Sequence, residues 1–259
     1  MKLSAIVLTR NEERNIEGCL AGLSWADEML VIDSGSVDRT VALAEKCGAR
    51  VVAHPMTDFA SQRNFAISQA RGDWVIFIDA DERVTPELAE EIKAVFERSD
   101  ASAPSVYAIP RHNYFLGRKL RFGDSREDAP IRLFPRQRAT WAQPVHERIV
   151  TDLPVRKLKS PLQHYSTRDL AHYKQKILDY VPLEVRTMRE RGVKPVLWKC
   201  FLMPPAKFIL LYFFKLGILD GIAGLQYAIL SAYFYTFQKH WLYWRNARQQ
   251  DLHDEHSKS

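Results

Sequence analysis

With 259 residues, 46% of them apolar, the chain can bury one sizeable core plus an appendage, which excludes a small domain held by staples. The formal net charge of +6 hides an asymmetry: Arg156 to Arg248 holds 16 Lys/Arg against 5 Asp/Glu, and the remainder holds 21 against 26. That split speaks against uniform nucleic-acid binding and for two parts with different tasks. Cys19, Cys47 and Cys200 are odd in number and lack C-x-x-C spacing, so they fit a reducing compartment and inert thiols rather than disulfides or zinc.

The opening run LSAIVL (3–8) is too short for the apolar core of a secretion signal, so the catalytic part is expected in the cytoplasm. It reads as a buried strand. Asn11 is expected to cap a helix in which Ile16, Leu20 and Leu23 recur on one face. MLVID (29–33) is the second strand and ends in a carboxylate. Ser36 is then expected at a helix N-cap, with Gly48 as the stop. ARVVA (49–53) is the third strand, and a helix is expected from about Phe59 to Ala70. DWVIFID (73–79) is the fourth strand. Thr85-Pro86 opens another helix with Leu88, Ile92 and Val95 inward.

This alternation predicts an α/β domain with a mostly parallel sheet and flanking helices. In such sheets ligands lie beyond the carboxyl ends of the strands, and there the chain gathers Thr9, Asn11, Asp33, Ser36, Asp79 and Asp81. The first turn, TRNEER, contains no glycine, which removes a dinucleotide fingerprint and a P-loop. A phosphorylated ligand would then need a cation. Asp79 and Asp81, one residue apart after a buried strand, suit Mg²⁺ or Mn²⁺. A solvated turn is the plainer reading of the same carboxylates.

The segments IVLTRNEERNI, VIDSGSVDRT, QRNFAISQARGDWVIFIDADE, RLFPR and PVHERI resemble the family 2 glycosyltransferases over roughly the first 165 residues. Within the family the chain is most similar to the bacterial β-glucosyltransferases that extend the lipopolysaccharide inner core on heptose. The resemblance implies the Rossmann-like GT-A fold, a UDP-sugar donor, a divalent cation and transfer of one hexose, glucose, with inversion. It implies Thr9, Asn11 and Glu12 at the nucleoside pocket and Asp33 on the uracil or ribose, with Ser36 on the same substrate-binding rim. Arg63 would lie near the nucleotide or sugar, Asp79 on ribose or metal-bound water, and Asp81 on the metal. The expected general base is Glu147 in PVHERI, with Asp128 (or Glu127) in SREDAP as the rival. His146 and His164 are further candidates for metal or phosphate contact, ranked below the carboxylates. The Q-x-x-R-W motif of processive members is absent, in keeping with addition of a single sugar.

From about 105 to 165 the pattern turns to short strands rich in Arg and aromatics, and helical periodicity returns from 168. The expected organisation is a catalytic domain over 1–165, a helical region over 166–248 and a flexible tail over 249–259. The helical region carries no clean 18-residue apolar stretch. It is expected to lie in the interface of an anionic membrane, which places the enzyme peripherally on the cytoplasmic face of the inner membrane, facing a lipopolysaccharide-core glycolipid acceptor. A helical cap on the catalytic domain fits the same periodicity. Other expectations left open are a different cell-surface polysaccharide or protein acceptor, a nucleotidyltransferase, and a binding module without activity.

Overall fold

The computed structural model describes residues 1–98, 104–125, 128–142 and 148–256. The chain forms two compact units: Met1–His112 with Glu127–Ser166, and Asn113–Arg126 with Thr167–Ser259. The first unit begins with β1 (Leu3–Thr9), α1 (Ile16–Ala21), β2 (Glu28–Asp33), α2 (Thr40–Lys46), β3 (Arg50–Ala53), α3 (Phe59–Gln69) and β4 (Trp74–Asp79). After these come β5 (Glu82–Arg83), α4 (Pro86–Arg98) and β6 (Val106–Ala108).

Two short strands, β7 (Arg111–Phe115) and β8 (Arg118–Leu120), form a hairpin that from Asn113 onward clusters with the second unit. The chain then returns to the first unit with β9 (Ile131–Pro135), β10 (Thr140–Ala142), β11 (Arg148–Val150), β12 (Val155–Lys157) and β13 (Leu162–Thr167). Seven strands make the main sheet in the order β12-β6-β9-β4-β1-β2-β3. The pairs β1–β2, β1–β4, β2–β3 and β12–β6 are parallel, and β9 runs antiparallel to both neighbours. The sheet is mostly parallel, as expected.

Strands buried on both faces read as continuous apolar runs, and the pleat divides them. Leu3, Ala5, Val7, Val31, Ile76 and Ile78 face the helices that carry Ile16, Leu20, Leu88 and Ile92. Ile6, Leu30, Ile32, Val75 and Phe77 face α3 through Ala60 and Ala66. Full burial of each of these larger aliphatic or aromatic side chains contributes about 1.5–3 kcal/mol.

Thr85 caps α4 as expected, accepting from Leu88 N at 3.2 Å, and Gly48 ends α2 with φ 83°. Two expected caps differ. Asn11 has φ 56° and its side chain accepts from Val37 N at 2.9 Å, while Asn15 stands at the N-cap of α1. Ser36 lies three residues ahead of Arg39, the N-cap of α2, and the first α2 amide is met by Asp38 at 3.0 Å instead. Both residues bond across the loop between strands, a competition that local sequence rules do not see.

The second unit contains α5 (Leu170–Glu190), α6 (Trp198–Ile209), α7 (Gly221–Ile229) and α8 (Phe237–His256). Wider π-helical turns at Leu210–Phe214 and Leu230–Thr236 extend α6 and precede α8. A short 3-10 turn, Gly217–Asp220, leads into α7. Glycine is needed where this turn meets α7, since a Cβ on Gly224 would sit 1.9 Å from the Gly217 carbonyl oxygen. Ile177, Val181, Val185 and Tyr243 form one small core of this unit. Phe115, Leu120 and Ala223 form another, with Tyr173 and Tyr227 edge-on to Phe115. Residues 113–125 thus cluster with the helices of this unit. Helix α8 also runs to His256, past the expected start of a flexible tail at 249.

Candidate active site

Strand order reverses at β1: β2 and β3 lie to one side and β4 to the other. This topological switch is where open α/β sheets bind ligands, and the register aligns Thr9 with Asp33 and Leu8 with Asp79. Asp33 accepts from Thr9 Oγ1 (3.2 Å), Gly35 N (3.0 Å), Ser36 N (2.9 Å) and Ser36 Oγ (2.5 Å). Ser36 Oγ accepts in turn from Asn11 N at 2.8 Å. A carboxylate has about four acceptor positions, so Asp33 shapes the 33–37 loop, and a nucleoside bonded to it would exchange with one of these contacts. Glu12 holds the other side of this loop, its N donating to Thr40 Oγ1 at 2.7 Å and its carboxylate accepting from Asn15 Nδ2 at 2.7 Å.

At the end of β4 the structure shows an alternating chain of charge. Asp79 accepts from Arg132 Nη2 (2.5 Å) and Arg63 Nη2 (3.3 Å). Arg132 also reaches Glu82 Oε1 at 2.8 Å, and Arg111 bridges Glu82 (3.2 Å) to both oxygens of Asp128 (2.8 Å each). Glu82 is 0% and Arg132 3% exposed. Three guanidiniums therefore neutralise three carboxylates in a region where an unpaired charge would be costly. Burial opposes the charge on Asp79, but Arg132 and Arg63 hold its carboxyl well below the usual carboxylate range. Cys19 donates to the Asp79 carbonyl at 3.6 Å, and burial pushes its thiol pKa up, which keeps it protonated and inert.

Asp81 faces a different partner. β13 pairs antiparallel with β5, placing His164 opposite Glu82, and His164 Nε2 lies 3.3 Å from Asp81 Oδ2. Asp79 is thus engaged by arginines, while Asp81 converges with the imidazole of His164. Glu82, Arg111 and Arg132 were not singled out from the sequence, although RLFPR places an arginine inside an apolar strand.

Helix α3 supplies three adjacent side chains to three walls. Gln62 donates to Ser34 Oγ and to the His54 carbonyl, each at 3.0 Å. Arg63 holds Asp79, its guanidinium 4.6 Å from the centre of the Trp141 ring. Asn64 clamps the Trp141 main chain, donating to O at 2.8 Å and accepting from N at 2.9 Å. This fixes β10, which pairs with β11. His146, Glu147 and Glu127 lie outside the described residues.

An alternating sheet with an acidic rim at its switch point is a ligand-binding edge of the kind open α/β sheets present. The chain matches the family model "Glycosyl transferase family 2" over residues 4–157 and belongs to that family. It is 28% identical over 254 residues to the lipopolysaccharide core biosynthesis glycosyltransferase LpsC of Rhizobium meliloti, covering 90% of this chain and 91% of that protein. It is 39% identical over 109 residues to the uncharacterized glycosyltransferase RC0292 of Rickettsia conorii, covering 42% of this chain and 39% of the relative. It thus spans about two fifths of that relative's length. Among solved structures, Staphylococcus aureus TarS 1–349 in complex with UDP superposes with a TM-score of 0.46 and 16% identity, over 73% of this chain and 66% of that one.

The family implies a divalent cation, and the donor set can be tested against it. Among the described residues no group of three or more His, Cys, Asp or Glu side chains could hold a metal. Asp81 and His164 offer one carboxylate and one imidazole, a pair that fits a cation whose other positions are filled by diphosphate oxygens and water.

Proposed function

We propose that this glycosyltransferase moves one hexose, glucose, from a UDP-sugar to a lipopolysaccharide-core or related glycolipid acceptor, with inversion. The observation that carries the reading is the convergence of Asp81 and His164 at the end of β4, on the ligand-binding edge of the sheet. The likeness to LpsC along nearly the whole chain supports the acceptor class.

Asp81 and His164 would hold Mg²⁺ or Mn²⁺, which supplies charge stabilisation to the diphosphate leaving group. The 33–37 loop, with Thr9, Asn11, Glu12 and Ser36, would line the nucleoside end. Arg63 and Arg132 fix Asp79 as a rigid acceptor for a ribose or sugar hydroxyl. The acceptor hydroxyl attacks the anomeric carbon, its proton passes to a carboxylate, and the bonding pair departs with UDP. Glu147 is the proposed base, because both oxygens of the rival Asp128 are committed to Arg111. The basic excess between Arg156 and Arg248 supports peripheral residence on an anionic leaflet at the cytoplasmic face of the inner membrane.

The test is a matrix of UDP-sugars against core glycolipids, with products read by mass. A single hexose added from UDP-glucose supports the proposal. Transfer only from another donor, or to a protein alone, overturns it.

A further inference from the structure

The second unit differs from the first in what its surface displays. All but four of the exposed large apolar side chains among the described residues belong to it. The densest group is the bend between the extended α6 and α7, where Phe213, Phe214, Leu216, Ile218, Leu219 and Ile222 are all exposed. Phe214, Leu219 and Ile222 are 77%, 62% and 62% exposed. Six such side chains within ten residues form an interaction surface rather than ordinary scatter.

Several polar groups of the same bend are engaged from within. Lys215 N donates to Leu210 O (2.8 Å), Leu216 N to Phe213 O (3.1 Å) and Leu219 N to Leu216 O (3.0 Å), while Gly123 N donates to Lys215 O (2.9 Å). The Asp220 carboxylate accepts from the Arg121 and Phe122 amides at 2.9–3.1 Å. Asp124 pairs with Lys215 and, at 3.6 Å, with Lys207, and accepts from Tyr227 Oη at 3.3 Å. Leu216 is held at φ 59° to make the turn. A turn facing water has no need of this much internal pairing. A turn facing hydrocarbon does, because nothing outside it can accept or donate.

Length sets the depth. The arm Trp198–Phe214 would reach about 25 Å at 1.5 Å per residue, short of the roughly 30 Å hydrocarbon core. Among the described residues no single helix is long and apolar enough to cross a membrane, and the two arms that pass together are bent by 72°.

We infer that residues 213–222 form a shallow wedge that enters one leaflet of an anionic bilayer and turns back. The inference rests on the peripheral placement proposed above and adds the segment and the depth. Lipid is favoured over a protein partner because the bend offers exposed apolar side chains while its two charged residues, Lys215 and Asp220, are paired from within, in a unit whose basic excess matches anionic head groups.

The experiment places an environment-sensitive fluorophore on cysteine at Leu219→Cys, in a Cys47→Ser background because Cys19 and Cys200 are buried. A second label goes to exposed Leu178→Cys on α5. The probe is a vesicle of phosphatidylglycerol and phosphatidylethanolamine. The label at 219 is expected to shift to the blue, resist aqueous iodide and be quenched more by nitroxides near the head groups than at the bilayer centre, while the label at 178 stays wet. Phe214→Ser/Leu219→Ser/Ile222→Ser should weaken vesicle binding by at least about tenfold. A label at 219 open to iodide on bound protein, strongest quenching at the centre, or unchanged binding by the triple variant would each overturn the wedge. Transfer to a lipid-free core oligosaccharide, measured alongside, separates the two readings. If transfer proceeds while the label stays wet, the wedge fails alone; if the label inserts and no hexose moves, the function fails alone.

Discussion

Replacing Arg132 with Met tests whether the alternating charge chain holds the floor of the site. The substitution keeps much of the side-chain length and removes three bonds, two to Asp79 and one to Glu82. Glu82 keeps Arg111, and among the described residues Asp79 keeps Arg63 at 3.3 Å. Charge-assisted bonds contribute about 1.5–3 kcal/mol each, and removing one partner of a buried ion pair costs about 3–5 kcal/mol. With one of the Asp79 contacts at 3.4 Å, two effective bonds give about 3–6 kcal/mol, overlapping that range. For a domain of this size that loss lowers Tm by roughly 6–20 °C. The pH response has a definite sign. The folded-state pKa of Asp79 lies below its unfolded value, near ~3.9, so its pairing contributes fully above that pH and is lost as pH falls through the folded value. Without Arg132 the carboxyl rises, and acid unfolding should begin at higher pH. Urea titrations followed by tryptophan fluorescence, from neutral pH downward, read both effects. Adding Glu82→Gln should recover part of the loss, since it removes one uncompensated charge. A loss of under about 1 kcal/mol, or no gain from the second change, would refute the account.

Asp81→Ala and His164→Ala should each abolish transfer and weaken Mn²⁺ binding in the presence of UDP, read by calorimetry; unchanged Mn²⁺ affinity in both would remove the metal role. Glu147→Gln should lower kcat by roughly 10²–10⁴ with donor affinity little changed. That loss in Asp128→Asn instead would move the base to Asp128. Asn64→Ala removes both bonds to Trp141 and should cost about 1–3 kcal/mol of stability in thermal melts, with Asn64→Asp restoring less than half because it cannot donate to the Trp141 carbonyl.

The sheet was legible because its strands are buried on both faces and announce themselves as apolar runs. The Thr85-Pro86 helix start was legible because capping is local. Asn11 and Ser36 were misread for the opposite reason: their bonds join two loops about 25 residues apart in the chain. The acidic rim could be located, since carboxylates follow strand ends. The partners of those carboxylates could not, because Arg132 and His164 arrive on β9 and β13, whose pairings no local pattern specifies. The clustering of residues 113–125 with the helices is not legible locally, because their anchor, Asp220, lies about a hundred residues downstream.

Gln62, Arg63 and Asn64 leave α3 in succession, each turned about 100° from the last, and each meets a different neighbour. The helix therefore behaves like a key whose cuts must enter in phase. Exchange of one side chain alters one cut. Loss or gain of one residue between Asp58, whose side chain caps α3, and Gln62 would rotate all three, presenting the guanidinium or the amides to the wrong wall. Change in this stretch is confined to substitution at constant length, and an ungapped block from Asp58 to Asn64 in related chains would be its visible trace.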